Sequence, residues 1–521
     1  MYKNNDGSFT YSPSDLTRYM ESEFVTWLDR YNIEFPNELV EDEDSETDQL
    51  LQRKGLEHES EFLAELRRSG HDVCDLSKTS GTTAKTVDRR KALSDAMHQG
   101  REVIFQAELS DDLFKGYADF LVKVDGHSKF GDYQYEPWDT KLALKPKPKF
   151  LIQLACYSDL LLHMQGTLPN QMHVALGDKT QRSFRTEDYL YFYRQLRQAF
   201  LEQQQNFDPK NPPEFNGKEK FGRWTTHVEK LIEDTDHLCR VANIRTMQIR
   251  KFKEANISTM TGLAATSIES IHHIEADTFA TLKQQARLQV ESAGLLRPKY
   301  EIVVPQIPGH GLFLLPPHSK SDVFFDMEGY PLADGGLEYL FGATVLKRGN
   351  PKFLDWWAHN PEEEKLAFEH FIDWLHARWQ KDPSMHVFHY ASYEKTAMRK
   401  LMSKYGTKEE ELDALLRNEV FVDLFTVVRQ SLKVGTPNYS IKSIEQLYRG
   451  KRDGAVATGL DSIVFYQRWL DIKDGADWHS SAILNQIRQY NQEDVSIRPT
   501  RVVVREFSFP ERSSRMAFSL K

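Results

Sequence analysis

The stretch "VFFDMEGYP" (323–331) runs three apolar residues into Asp326, a single intervening residue and Glu328. In a strand, residues i and i+2 point to the same face, so both carboxylates lie side by side. Like charges repel, and burying either one is costly. Either the strand surfaces here or something positive sits between the acids. Downstream, "YLFGATVL", "EEEKLAFEHFIDWLHARW", "HVFHYAS", "YEKTAMRKLMSKY" and "VFVDLFTVV" alternate strand-like and helix-like patterning, which is an α/β arrangement.

Two further acidic stretches succeed the first. "VFHYASYEKTAMRKL" (387–401) reads as a strand running into a helix that carries Glu394, and "YNQED" (490–494) sets Tyr490 and Asp494 on one helix face. Separately each is common: D-x-E usually marks a surface strand, and Y-x-x-x-D an ordinary helix. Together and in this order they resemble the motifs of DEDD-type 3′–5′ exonucleases of the ribonuclease H-like fold, in their tyrosine form. The resemblance implies that Asp326, Glu328, Glu394 and Asp494 hold two divalent ions, which would neutralise the repulsion between the acids. It also implies that Tyr490 orients the attacking water. The second motif usually has Asp where this chain has Glu394. Asp423, between the motifs, reads as structural.

The bulk composition bounds the rest. A chain of 521 residues, 40% hydrophobic and 28% charged, is too long for one core and long enough for two or three domains. Its net charge of −10 gives no global attraction to nucleic acid, so such binding requires local basic patches. The run "EDEDSETD" (41–48) reads as a solvated acidic loop. Cys74, Cys156 and Cys239 are far apart, which argues against a zinc ribbon or a disulfide framework. There is no run of apolar residues long enough to span a bilayer and no signal-peptide core, so a cytoplasmic protein without a membrane partner is expected.

In the N-terminal half, 15–30 and 47–69 read as helices, and 102–109, 117–124 and 133–143 as strands. A helix over 150–164, a strand over 171–179 and long amphipathic helices to about 238 come next. Asp119 stands in one strand-like alternation, and Asp139 and Lys141 stand two apart on the next. Two carboxylates can hold Mg²⁺ or Mn²⁺ through oxygen ligands, while a lysine orients or deprotonates water and steadies developing charge. A bare D-x-K also suits an exposed cross-strand ion pair. In order, however, "KGLEHE" (54–59), "GYADFLVKV" (116–124), "YEPWDTKLA" (135–143) and "QLACY" (153–157) resemble the motifs of RecB-like PD-(D/E)xK nucleases. That resemblance implies metal binding by His58, Asp119 and Asp139, catalysis by Lys141 with the two acids, and DNA contact by Gln153 and Tyr157. Helix packing is the plainer role for the last two. Which of Glu57, His58 and Glu59 faces the site stays open. Relatives of this type often carry a four-cysteine iron–sulfur cluster, but "RYMESEF" and "DHLCRVANI" lack the cysteines, so none is expected here.

Between these regions, Arg240 to Lys253 contains five Lys or Arg and no acid, including Arg245, Arg250, Lys251 and Lys253. With "FKEANISTMTGLA", this resembles a helix-hairpin-helix element that offers backbone N–H groups to phosphate, Asn256 standing where glycine is usual. A helical spacer with a basic face is the alternative. "IPGHGLFLLPPHSKS" (307–321) reads as a linker. After Asp494, Pro499 should end the helix, and 495–521 reads as a divergent or frame-shifted tail.

The whole chain resembles the RecB-like putative nuclease family, in which these two domains are paired, sometimes ahead of a superfamily-one helicase. No G-x-x-x-x-G-K-[ST] occurs here, so a helicase would be a separate partner. The expected fold class is α/β multidomain: a RecB-like core over 1–238, a helical connector over 239–300 and a ribonuclease H-like domain over 301–521. The expected function is metal-dependent cleavage of DNA in repair, processing or defence, with 3′–5′ exonuclease activity from the C-terminal domain. The alternatives are a ribonuclease, or a binding or assembly protein whose sites are relics.

Overall fold

The computed structural model describes residues 1–77, 89–215, 217, 219–304, 307–448 and 458–495. Pro499 and all but the first residue of the odd tail lie outside them. The chain divides into two compact units, Met1–Leu231 and Ile232–Lys521.

The first unit is built on a six-stranded sheet. Its strands run in the order Val73–Asp75, Val103–Ser110, Lys115–Ser128, Gly131–Lys141, Gln171–Leu176 and Gln181–Arg185. Gly131–Lys141 and Gln171–Leu176 are parallel, and the helix Pro148–Gln165 makes the crossover between them. That helix starts on Pro148 and stops at Gly166, whose φ of 76° only glycine adopts cheaply. Phe150, Leu154 and Leu161 bury it against Ile104, Ala118 and Leu121 of the sheet. The helix expected over 15–30 is two helices, Pro13–Glu21 and Glu23–Glu34. Ser22 separates them because its extended backbone ends the first helix while its side chain accepts from Val25 N–H and caps the second. The helices expected to about 238 are Glu187–Gln205 and Thr225–Asp234, with a Pro-bearing loop between them.

The second unit opens with helices Thr246–Glu254, Met260–Ala265 and Ala276–Ser292. Asn256 takes a left-handed φ of 61° in the turn between the first two, a conformation that asparagine accepts more readily than most residues. Phe252, Ile257, Met260 and Leu263 pack there on Phe279, Leu282 and Ala286. Arg245 and Arg250 are exposed, while Lys251 is half-buried and lies 2.7 Å from Glu254. Strand pairing and shared core join this helical segment to the C-terminal part of the chain: Tyr300–Ile302 pairs antiparallel with Leu432–Val434, and Ala242 clusters with Val428 and Leu432.

Beyond it lies a five-stranded sheet in the order Asn350–Trp357, Leu337–Lys347, Val323–Tyr330, Val387–His389, Phe421–Asp423. The first three strands form an antiparallel meander, and the last two are parallel to the central one. Alternation along Val323–Tyr330 divides its side chains. Val323, Phe325 and Met327 pack with Phe368, Phe371 and Leu375 of the helix Pro361–Lys381. On the sheet that helix also meets Phe341 and Ala343 of the neighbouring strand. Asp326 and Glu328 point to the opposite face, toward the helix Ala482–Asp494. Gly342 lies opposite Asp326 in the ladder, and a Cβ there would fall on the Asn491 side chain. Glycine thus lets the last helix sit down on the acids.

Candidate active site

Three carboxylates meet on the face of the second sheet that receives the helix Ala482–Asp494. Oxygens of Asp326, Glu328 and Asp494 all lie within 4.8 Å of one another. Glu328 is buried, while Asp326 and Asp494 are half-buried, so the group reaches the surface. Glu394, from the helix Tyr393–Tyr405, is buried beside Asp326 and hydrogen-bonds with it, and its Oε2 lies 3.4 Å from His389 Nδ1. The structure therefore brings together all four acids from the three motifs.

Neutral donors brace the cluster. Asn491 Nδ2 donates to Asp326 Oδ2 at 2.9 Å and lies 3.5 Å from Glu328 Oε1, and Ser462 Oγ donates to Glu328 Oε2 at 2.7 Å. Lys442 Nζ is 3.5 Å from Asp494 Oδ1. Asn491 stands inside "YNQED", within the third motif itself; Ser462 and Lys442 carry no signal in their own segments.

The electrostatics show how poorly the acids tolerate each other. Burial, then the charges of Glu328, Asp494 and Glu394, hold the Asp326 carboxyl well above the usual carboxylate range. Burial above all, with Asp494 adding and Ser462 and Asn491 opposing, pushes Glu328 up to about 8. Burial and the charge of Asp494 raise the Tyr490 phenol, which stays neutral and able to donate. A set of clustered oxygens, held together against their mutual repulsion, fits a hard divalent cation.

The Glu328 shift has a consequence for stability. Its folded value of about 8 exceeds the ordinary 4.5, so folding takes up a proton between the two. This contribution is fully present below the ordinary value and is lost as pH rises through the folded one. The thermal midpoint of the metal-free second unit should therefore fall between about pH 5 and 8. Mn²⁺ at millimolar level should cancel most of that fall, because the ion binds the ionised form. Calorimetry of the chain and of Glu328→Gln checks this, and a slope unchanged by either metal or substitution contradicts it.

In the first unit, Asp119 and Asp139 are hydrogen-bonding neighbours, and Lys141 Nζ lies 2.6 Å from Asp139 Oδ2. Thr140 gives both its N–H and its hydroxyl to Asp119 Oδ2, each at 2.9 Å, so the side chain continues the strand pairing that stops at Phe120. Burial and the charge of Asp119 push Asp139 up to about 7, against the pull of Lys141. Burial opposes the charge on Lys141, but Asp139 and Asp119 outweigh it and raise the ammonium. Of the residues left open in "KGLEHE", Glu59 shares this field: burial and the charge of Asp119 raise it, and it accepts a hydrogen bond from Gln106. Gln106, opposite Asp119 in the ladder, has a φ of 58° and is left out of the pairing, a backbone irregularity beside the acids. His58 instead turns its ring toward the Ala175 carbonyl, 3.5 Å away.

Tyr157 requires a correction as a DNA-contacting residue. It is 3% exposed, its hydroxyl donates to the Tyr117 carbonyl at 2.7 Å and accepts from Gln153 at 3.1 Å. Gln153 in turn lies 3.3 Å from Asp139 Oδ1. The pair works inward, holding the acid, because the helix face that carries it is packed on the sheet.

Residues 323–500 match the model of RNase_H_2, a family of the RNase H superfamily. The second unit thus carries a ribonuclease H-like domain, of a class whose nucleases use divalent metals. Comparison with curated proteins yields no match. Among the described residues, no helix is long and apolar enough to cross a membrane.

Proposed function

We propose that the chain is a divalent-metal-dependent nuclease whose C-terminal domain removes nucleotides from the 3′ end of DNA, in repair, processing or defence. The observation that carries this reading is the mutual approach of Asp326, Glu328 and Asp494 within a ribonuclease H-like domain. These three, with Glu394 beside them, would hold Mg²⁺ or Mn²⁺, which when bound supplies Lewis-acid stabilisation of the phosphate and its attacking water.

The remaining work falls to the chain's own groups. Asn491 and Ser462 fix the carboxylate orientations through their hydrogen bonds to Asp326 and Glu328. Tyr490, a neutral phenol beside Asp494, would orient water for in-line attack. The water oxygen bonds to phosphorus and the bond from phosphorus to the 3′ oxygen breaks, its electron pair leaving with that oxygen. Solvent takes the water's proton and supplies one to the leaving group. RNA is the alternative substrate, since nothing in this chemistry consults the 2′ position.

A second reading concerns the first unit. The contact of Lys141 with a buried Asp139, itself against Asp119, suits a RecB-like phosphodiesterase site with Glu59 or His58 completing the metal set. The exposed Arg245 and Arg250, with Lys251 and Lys253, would guide the nucleic acid backbone. A helicase would be a separate partner.

The deciding experiment offers 3′-labelled and 5′-labelled oligonucleotides of DNA and RNA, single- and double-stranded, with Mn²⁺, Mg²⁺ or chelator. Metal-dependent release of mononucleotides from the 3′ end of DNA is expected. Binding without turnover under every metal condition would favour a binding or assembly protein instead.

A further inference from the structure

We propose that Lys442 is a further catalytic residue of the C-terminal site, the group that meets the non-bridging oxygens of the scissile phosphate. The inference rests on the nuclease reading of that site. Lys442 Nζ lies 3.5 Å from Asp494 Oδ1 and 4.2 Å from the centre of the Tyr490 ring. Its charge also reaches Glu328, opposing that residue's upward shift. The side chain is 29% exposed, while its ammonium nitrogen is turned inward and buried beside the carboxylate group.

The short helix Ile441–Ile444 holds it there. Ser440 caps that helix by accepting from Ser443 N–H, while Asn438 Oδ1 accepts from Ser440 N–H at 3.0 Å and from Ser443 Oγ at 2.7 Å. Tyr390, just past the strand Val387–His389, donates to the Tyr439 carbonyl at 2.5 Å. The turn that carries Lys442 is therefore tied to the same strand that leads to Glu394.

Charge explains what a lysine does among ligands. An ammonium has three donors and no acceptor, so it cannot coordinate a cation. Two divalent ions would leave the four carboxylates with no net charge, while the phosphodiester brings one negative charge and its oxygens gain a second as water attacks. A compact, strongly hydrated point charge beside Asp494 and Tyr490 meets that charge where it develops. Were Lys442 only a counter-ion of Asp494, metal would compete with it, and its loss would tighten metal binding without slowing hydrolysis.

The full chain, Lys442→Met and Lys442→Arg separate these roles. Isothermal titration with Mn²⁺ alone is paired with steady-state hydrolysis of short single-stranded DNA and RNA at saturating Mn²⁺. Lys442→Met should lower kcat about 100-fold with KM changed less than about 3-fold, and with Mn²⁺ affinity kept or increased. Lys442→Arg should recover part of kcat. Wild-type kcat in Lys442→Met overturns the inference alone, and so does a parallel loss of Mn²⁺ affinity and rate. A wild-type chain that cuts neither substrate removes the nuclease reading and this inference together.

Discussion

Asp326→Asn is expected to lower the C-terminal domain's metal-dependent hydrolysis at least ~1000-fold, which corresponds to about 4 kcal/mol of transition-state stabilisation. Asp326 is the acid that touches most of the site: it accepts from Asn491, hydrogen-bonds with Glu394 and feels the charges of Glu328 and Asp494. Removing its charge takes away an oxygen ligand that geometry alone cannot restore. The same change should raise the thermal midpoint of the metal-free chain, because one of several carboxylates held together against their repulsion disappears. Activity and stability thus move in opposite directions. Mn²⁺ calorimetry and hydrolysis rates check the first effect and thermal unfolding the second. An Asp326→Asn chain that cuts at the wild-type rate with saturating Mn²⁺ would dismiss this acid from catalysis.

Lys141→Ala is the counterpart in the first unit and is best made in the Asp326→Asn background, where the second site is silent. Any cleavage that survives there belongs to the first unit, and Lys141→Ala should cut it about 100- to 1000-fold. The lysine supplies the positive charge that partly offsets the cost of burying Asp139, which is 0% exposed and pushed up to about 7 even with the ammonium 2.6 Å away. Without Lys141 that carboxyl should be protonated at neutral pH and lose its value as a ligand. Residual cleavage untouched by Lys141→Ala would assign it elsewhere. No cleavage at all in the Asp326→Asn background would leave the first unit with binding or assembly as its work.

Much of the second site is legible in the sequence alone. Side chains alternate in a strand, so Asp326 and Glu328 had to share a face, and Phe325 and Met327 had to take the other. Four residues make about one helical turn, so Tyr490 and Asp494 had to stand together. The asparagine turn at Asn256 came from the few residue types that accept positive φ. Other expectations were weaker because they needed a third dimension. A serine at 22 could continue a helix or break it, and its cap to Val25 decided the break. For Tyr157 the resemblance implied DNA contact and helix packing was the plainer role; the packing of its helix turned it inward.

Local sequence, then, set which residues share a face, and so which acids are forced into company within one strand or one helix turn. Only the tertiary structure decided which distant segments answer that company: Ser462 reaches Glu328 across 134 positions and Asn491 reaches Asp326 across 165. It also chose Glu59 among the candidates of "KGLEHE" to share the field of Asp119, and set Lys442 beside Asp494. The reason is physical. Periodicity is a property of the backbone within a few residues, whereas the electrostatic fate of a buried carboxylate depends on whatever the chain's packing brings within a few ångströms, at any separation along it.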